Sequence, residues 1–298
     1  MTSDGSGVVE IPSGSARIAH SARTHVGRVR SVNEDALLAH APVYVVADGM
    51  GGHARGDAAS RAVVDTFRRH LDTGAPSRPE QVLDAIHSSN EVVRSLSTEG
   101  DEGTAVAGTT VAGIALVDAG DGRGVHWMVF NVGDSRVYLW DGRRLEQVTV
   151  DHSAVQEMVD AGLLHADDAE RHPDRNVITR AVGADDVVEP DVWLIPAAGR
   201  QVFLLCSDGL SKEVGDEAIA EILTGGSAHA AGLAGELVEA ALAAGARDNV
   251  TAVVVESDLG GDAADDDEAT RDRDDALPRA AEQTWPRGAG DQGGGLPA

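Results

Sequence analysis

Four aspartates stand at the ends of apolar runs. Asp48 closes "VYVVAD", Asp208 closes "VFLLCSD", Asp134 follows "WMVFNVG" in a Gly-Asp-Ser turn, and Asp248 precedes "NVTAVVV". Taken singly, each is an ordinary turn residue whose carboxylate bonds to its own backbone. Taken together they predict a site. If the strand ends meet, the carboxylates converge, and they must then take up protons or share a cation. The donors are all oxygen, a set that selects Mg²⁺ or Mn²⁺ over zinc. Gly49 follows Asp48 and has no Cβ, so its carbonyl can approach such an ion. In "VGRVRSVNEDALL", Arg30 lies just before Glu34 and Asp35. Its guanidinium can grip a phosphate with two parallel hydrogen bonds or pair with a nearby carboxylate.

The elements that must carry these residues are visible in the apolar patterning. Runs rich in β-branched residues and bounded by Gly or Asp predict strands at 16–24, 36–41, 43–46, 109–117, 124–132, 137–140, 201–206 and 250–256. "WMVFNVGDSRVYLWDGRRL" reads as consecutive hairpins with GDS and DGR as turns. Helical spacing predicts a helix at 57–72, with Val63, Phe67 and Leu71 on one face. A second is expected at 80–97, with Leu83, Ile86, Val93 and Leu96. Two more are expected at 216–223 and 228–244, and a short one at 153–164 opens a polar flap of about 152–182. Hairpin-linked strands with segregated helices predict an α+β antiparallel sandwich, not a βαβ fold.

A chain of 298 residues can bury one large core. Residues 1–15 are rich in Ser and Gly and are expected to be a flexible N-terminal segment. Residues 257–298 are rich in acids, Gly and Pro and are expected to be a disordered tail. That leaves 16–256 as the folded domain. From Glu256 onward there are 12 acids and 4 arginines, a net of −8, so −18 of the total −26 lies elsewhere. A chain this acidic disfavours nucleic acid and anionic membranes as partners. No apolar run has the length of a membrane span, and the first residues do not form a signal peptide. The single cysteine, Cys206, allows no internal disulfide and fits a reducing, cytoplasmic setting.

A series of motifs completes this reading: "GRVRSVNEDA", "VADGMGGHARGDAAS", "GTTVAGIAL", "NVGDSRVYL", "VTVDHS", "ITRAVG", "CSDGLS" and "DNVTAVVV". In this order, over about 16–256, they resemble the metal-dependent protein phosphatase 2C family in its bacterial form. The resemblance implies two antiparallel sheets flanked by helix pairs, an α-β-β-α arrangement with two tightly bound Mn²⁺ or Mg²⁺ ions at one end. It implies that Asp48 bridges both ions, that the Gly49 carbonyl binds one, and that Asp208 and Asp248 hold the other. Glu34 and Asp35 act through metal-bound waters. Asp134 helps Asp208 hold a third, weaker ion, and Arg30 binds the substrate phosphate. A water between the ions attacks phosphorus in line, without a phosphoenzyme. Animal members carry a histidine where this chain has Met50, whereas bacterial members place one at His53. His53 is therefore a secondary candidate, with a metal-bound water as the alternative proton source. The implied substrates are phosphoserine and phosphothreonine proteins, with a Ser/Thr protein kinase and its substrates as partners, and a monomer is expected.

Other readings compete with this one. Gly49-x-Gly51-x-x-Ala54 resembles a dinucleotide fingerprint, but Asp48 directly before it repels a pyrophosphate. Cys206 could be a phosphatase nucleophile, but the required Cys-x₅-Arg ends here at Lys212, so a packed thiol is expected. A catalytically weak regulatory or binding module of the same fold is the remaining alternative. His25, His40, His126, His152 and His172 show no metal-ligand spacing, and His152 stands out only because it follows Asp151 at the start of the flap.

Overall fold

The computed structural model describes residues 2–259, apart from 52–54, 72–73, 101–102, 106, 121, 123, 170 and 226–229. In chain order, strands β1 (Thr2–Ile11), β2 (Gly14–His25), β3 (Asp35–His40) and β4 (Val43–Met50) lead into helices α1 (Arg55–Leu71) and α2 (Pro79–Ser95). Then come β5 (Thr98–Gly100), β6 (Gly103–Ala105), β7 (Gly108–Thr109), β8 (Val111–Asp118), β9 (Val125–Val132), β10 (Arg136–Trp140) and β11 (Leu145–Gln147). The flap carries α3 (Ala154–Asp160) and α4 (Ala166–Ala169). The chain continues with β12 (Asp191–Pro196), β13 (Gly199–Cys206), α5 (Asp208–Ser211), α6 (Asp216–Gly225), α7 (Leu233–Ala244) and β14 (Val250–Leu259).

The alternation in β4 shows how the layers arise. Successive strand residues point to opposite faces. Val43, Val45 and Ala47 pack with α1 and α2, while Tyr44 and Val46 face the other sheet. One sheet runs β1-β2-β14-β13-β10-β11, and the other runs β12-β9-β8-β4-β3 with β7 on the end of β4. All named strand pairs are antiparallel. Phe67 of α1 stacks on Phe130 of β9 with centroids 5.2 Å apart, in the cluster beneath the first helix pair. Leu210, Leu237 and Val254 belong to the cluster beneath α5–α7, and Tyr44, Trp127, Phe203 and Val253 fill the space between the sheets. The result is the expected α-β-β-α sandwich. Among the described residues, the antiparallel pairing of the named strands leaves no βαβ crossover for a dinucleotide.

Several boundaries differ from expectation. Residues 2–11, expected to be flexible, form β1 and pair along their whole length with β2 across a turn at Pro12-Ser13. Their Ser/Gly content reads as loop, but Val9 is buried in the inter-sheet core and supplies the reason to order. Thr110 divides the strand expected at 109–117 into β7 and β8. The half-exposed edge strand β12 has too weak an alternation to be read from sequence. α7 begins at Leu233, not 228. β14 runs to Leu259, so 257–259 belong to the sheet, and the remaining tail, 260–298, lies outside the described residues.

Candidate metal and phosphate site

The antiparallel order brings particular strand ends together. Asp35 at the start of β3 is directly opposite Asp48 near the end of β4, so both side chains take the same face. That face is the inter-sheet face carrying Tyr44 and Val46. In the other sheet, β13 ends where β14 begins, with Cys206 opposite Ala252, placing Asp208 and Asp248 at the same end. Asp134 sits in the turn between β9 and β10, where the chain crosses from one sheet to the other.

Close backbone approaches shape this end. A Cβ on Gly49 would lie 2.1 Å from the Gly56 carbonyl oxygen and 2.6 Å from that of Glu34. Glycine is thus required by packing at the β4–α1 junction, a stronger reason than access for its own carbonyl. A Cβ on Gly209 would meet the Asn249 oxygen at 2.0 Å, so α5 rests directly on the chain entering β14.

Asn249 fixes the segment that carries Arg30 and Glu34. Its Nδ2 donates to the carbonyls of Val26 and Val32, each at 3.0 Å, and its Oδ1 accepts from the Glu34 amide at 2.7 Å. The Glu34 carbonyl in turn accepts from the Gly49 amide and the Ser60 hydroxyl. Asp35 Oδ2 accepts from Ser207 Oγ at 2.8 Å and Thr251 Oγ1 at 2.6 Å, a buried tie between the sheets. The Asp48 amide donates to Thr110 Oγ1. The sequence reading did not single out Asn249, Ser207, Thr251 or Thr110. The available signal was polar residues inside otherwise apolar strand ends, as in "GTTVAG", "CSDG" and "DNVT".

The carboxylates are close enough to perturb one another. Burial pushes Asp48 well above the usual carboxylate range, and the charges of Asp35, Asp208, Asp134 and Asp248 add to the shift. Burial raises Asp35 to about 7, against the hydroxyl hydrogen bonds that favour its charge. Burial and Asp208 raise Asp134 to about 6, opposed by Lys212. Asp35 Oδ1 and Asp208 Oδ1 are buried without a hydrogen-bond partner. Orphaned carboxylate oxygens in a crowded acidic site fit a hard cation.

Side-chain cations currently answer part of this charge. Arg30 Nη2 lies 2.7 Å from Asp248 Oδ2, so it meets a carboxylate distant in sequence instead of its neighbour Glu34. Lys212 Nζ lies 2.5 Å from Asp208 Oδ2 and 3.2 Å from Asp134 Oδ2. With these pairings in place, no three acidic, His or Cys side chains among the described residues form a ready ligand set for one ion. Holding an ion here requires the carboxylates to exchange those partners. Glu34 reaches the start of α1, its Oε1 2.8 Å from where a Gly56 Cβ would sit. His53 lies outside the described residues.

His152 is buried at the root of the flap. Its Nδ1 accepts from the Gly133 amide at 3.0 Å, and its Nε2 lies 3.3 Å from Asp191 Oδ2, which also pulls the Asp191 carboxyl below its usual range. This pins the turn bearing Asp134 to the flap. Cys206 packs in the helix-side core, where burial pushes its thiol up to about 12, too high for a nucleophile near neutral pH.

An acid-lined end of a four-layer antiparallel sandwich, with an arginine at its rim, defines the class. Residues 24–244 match the protein phosphatase 2C family, and the chain belongs to that family. It is 38% identical over 242 residues to the serine/threonine protein phosphatase PstP of Mycobacterium tuberculosis, a match covering 80% of this chain and 44% of that protein. It thus spans under half the length of that relative. It is 33% identical to the serine/threonine phosphatase stp of Listeria monocytogenes, over 80% of this chain and 95% of that one. Among solved structures, the catalytic domain of PstP in complex with two manganese ions superposes with a TM-score of 0.71 at 34% identity, covering 82% of this chain and all of that chain.

Proposed function

We propose that this chain is a metal-dependent phosphoprotein phosphatase acting on phosphoserine and phosphothreonine. The observation that carries the reading is the convergence of Asp35, Asp48, Asp134, Asp208 and Asp248 on one sheet end, with two buried oxygens left unpartnered. The likeness to a phosphatase domain solved with two manganese ions supports Mn²⁺ or Mg²⁺ as the cofactor.

Asp48, the Gly49 carbonyl, Asp208 and Asp248 are the groups assigned to the tight pair of ions. Glu34 and Asp35 are assigned to their outer contacts, and Asp134 to a third, weaker ion. When bound, the ions supply Lewis-acid polarisation and an acidified attacking water. The chain's own residues set the geometry. Asn249 positions the Arg30–Glu34 segment against Asp248. Arg30, half exposed, can leave Asp248 and take two oxygens of the phosphoryl group. Ser207 and Thr251 hold Asp35 in one orientation between the sheets.

The proposed substrates are phosphoproteins, with an opposing Ser/Thr kinase as partner, in the cytoplasm and as a monomer. Among the described residues, no helix is long and apolar enough to cross a membrane. The test is hydrolysis of a phosphothreonine peptide with Mn²⁺, Mg²⁺ or EDTA. Release of phosphate with Mn²⁺ or Mg²⁺ and its loss in EDTA are expected. Full activity in excess EDTA would sink the reading, and Mn²⁺ binding without turnover would favour the regulatory-module alternative.

A further inference from the structure

We infer that the Lys212 ammonium is a tethered cation of the Asp134–Asp208 corner, and that an outer metal ion reaches that corner only by displacing it. This rests on the metallophosphatase reading above. Lys212 follows α5 directly, one helical turn beyond Asp208. Its Nζ meets three acceptors from three separate segments. They are Asp208 Oδ2 at 2.5 Å, Asp134 Oδ2 at 3.2 Å and Asn176 Oδ1, from the flap, at 3.1 Å. An ammonium has three protons, so this set satisfies it completely.

The residue type supports the assignment. Lys212 is the only lysine in a chain whose other basic residues, apart from histidine, are arginines. A planar guanidinium suits two parallel oxygens of one group, whereas a compact ammonium on a flexible stem suits acceptors converging from different directions. Its position between the carboxylate of the β9–β10 turn and that at the start of α5 is that of a bridging cation. An ion entering there must break the contacts to Asp208 and Asp134, and the freed ammonium also loses its geometry with Asn176. Metal loading of this corner is therefore a competition with the chain itself, and it is coupled to the flap.

The single lysine makes the test direct. Full-length protein labelled with ¹⁵N-lysine gives one side-chain ammonium signal, followed while diamagnetic Mg²⁺ is added. In parallel, Mn²⁺ is titrated calorimetrically into the wild type, Lys212→Gln and Lys212→Gln/Asp134→Asn. The lysine signal is expected to change as the weakest ion binds. Lys212→Gln is expected to gain one ion per chain or to bind the weakest ion about tenfold more tightly, the scale for removing one partly exposed charge at contact distance. Adding Asp134→Asn should remove that gain. Three ions bound by the wild type with an unmoved lysine signal, or wild-type and Lys212→Gln isotherms that superimpose, overturns the inference alone. No metal bound by any of the proteins sinks the metallophosphatase reading as well. If Lys212→Gln does not fold, the lysine signal decides.

Discussion

Asp48 and Asp134 look alike in sequence, each following an apolar strand, yet their surroundings differ. Asp48 lies opposite Asp35 and within reach of the charges of Asp208, Asp134 and Asp248, whereas Asp134 is answered by Lys212. Asp48→Asn should abolish tight binding of the metal pair in Mn²⁺ calorimetry and lower kcat about a thousandfold or more. Asp134→Asn should keep the tight pair and lose only a weak site, with a smaller fall in kcat; equal loss of tight binding in both variants overturns this division. Asn249→Ala tests the scaffold. It strips partners from two carbonyls and one amide, each costing about 1–3 kcal/mol if left buried and unsatisfied. A lower Tm and a raised KM for phosphopeptide are expected, because the Arg30 segment loses its clamp. An unchanged KM beside a lowered Tm would make Asn249 purely structural. The aspartates were legible because each ends an apolar run beside Gly, Ser or Asn. Asn249, Ser207 and Thr251 were not, because the partners they hold lie 44 to 223 positions away and no local spacing encodes them.

Strands buried on both faces, such as β4, β8 and the second half of β13, were readable as apolar runs between turn signals. The edge strands β1 and β12 were not, since they bury little and carry no continuous pattern, whereas edge strand β3 was, and β11 was legible only through the DGR turn before it. β1 nevertheless closes the inter-sheet core with Val9, and Ile11 packs against it. Deleting residues 2–11 should cost about 2–4 kcal/mol, mostly the burial of these two side chains. It should lower Tm while leaving kcat largely intact, because β1 carries no site residue. An unchanged Tm would show that β1 adds nothing to the core. The other terminus gives a sharper contrast. Ser257 accepts from Trp127 Nε1 at 3.2 Å, and Leu259 is buried beside Ala16 and Ile18. Truncation after Leu259 should leave Tm and kcat nearly unchanged, since the acidic remainder has little apolar surface to bury. Truncation after Glu256 should lower Tm; identical melting of the two truncated proteins, cut three residues apart, would contradict the role of the strand end.

At the scale of the whole molecule, a chain of net charge −26 gathers five aspartates at one end of its sandwich. Fold and family were legible here because the chemistry is spread over motifs spanning nearly the whole folded chain, whereas the pairing of Lys212 with two of those aspartates exists only in three dimensions. The gathered carboxylates fix how stability depends on pH. Asp35 and Asp134 are raised to about 7 and about 6, so between pH 5 and 7 the native state holds protons that the unfolded chain has already lost. Stability from these groups is therefore full below about pH 4 and is lost as pH rises through 6 and 7, by at most about 1.4 kcal/mol per pH unit for each proton. In EDTA, Tm should fall from pH 5 to pH 8. General charge repulsion pushes the same way, so Asp35→Asn isolates the site: its Tm should decline less steeply, while the hydroxyls of Ser207 and Thr251 can still donate to the amide oxygen. With saturating Mn²⁺ the dependence should reverse, because the cation binds the deprotonated carboxylates and competes with protons. The stabilisation by Mn²⁺ should thus be small at pH 5 and large at pH 8. Parallel melting curves for wild type and Asp35→Asn in EDTA, measured across that range, would show that the buried Asp35 carboxyl does not hold its proton.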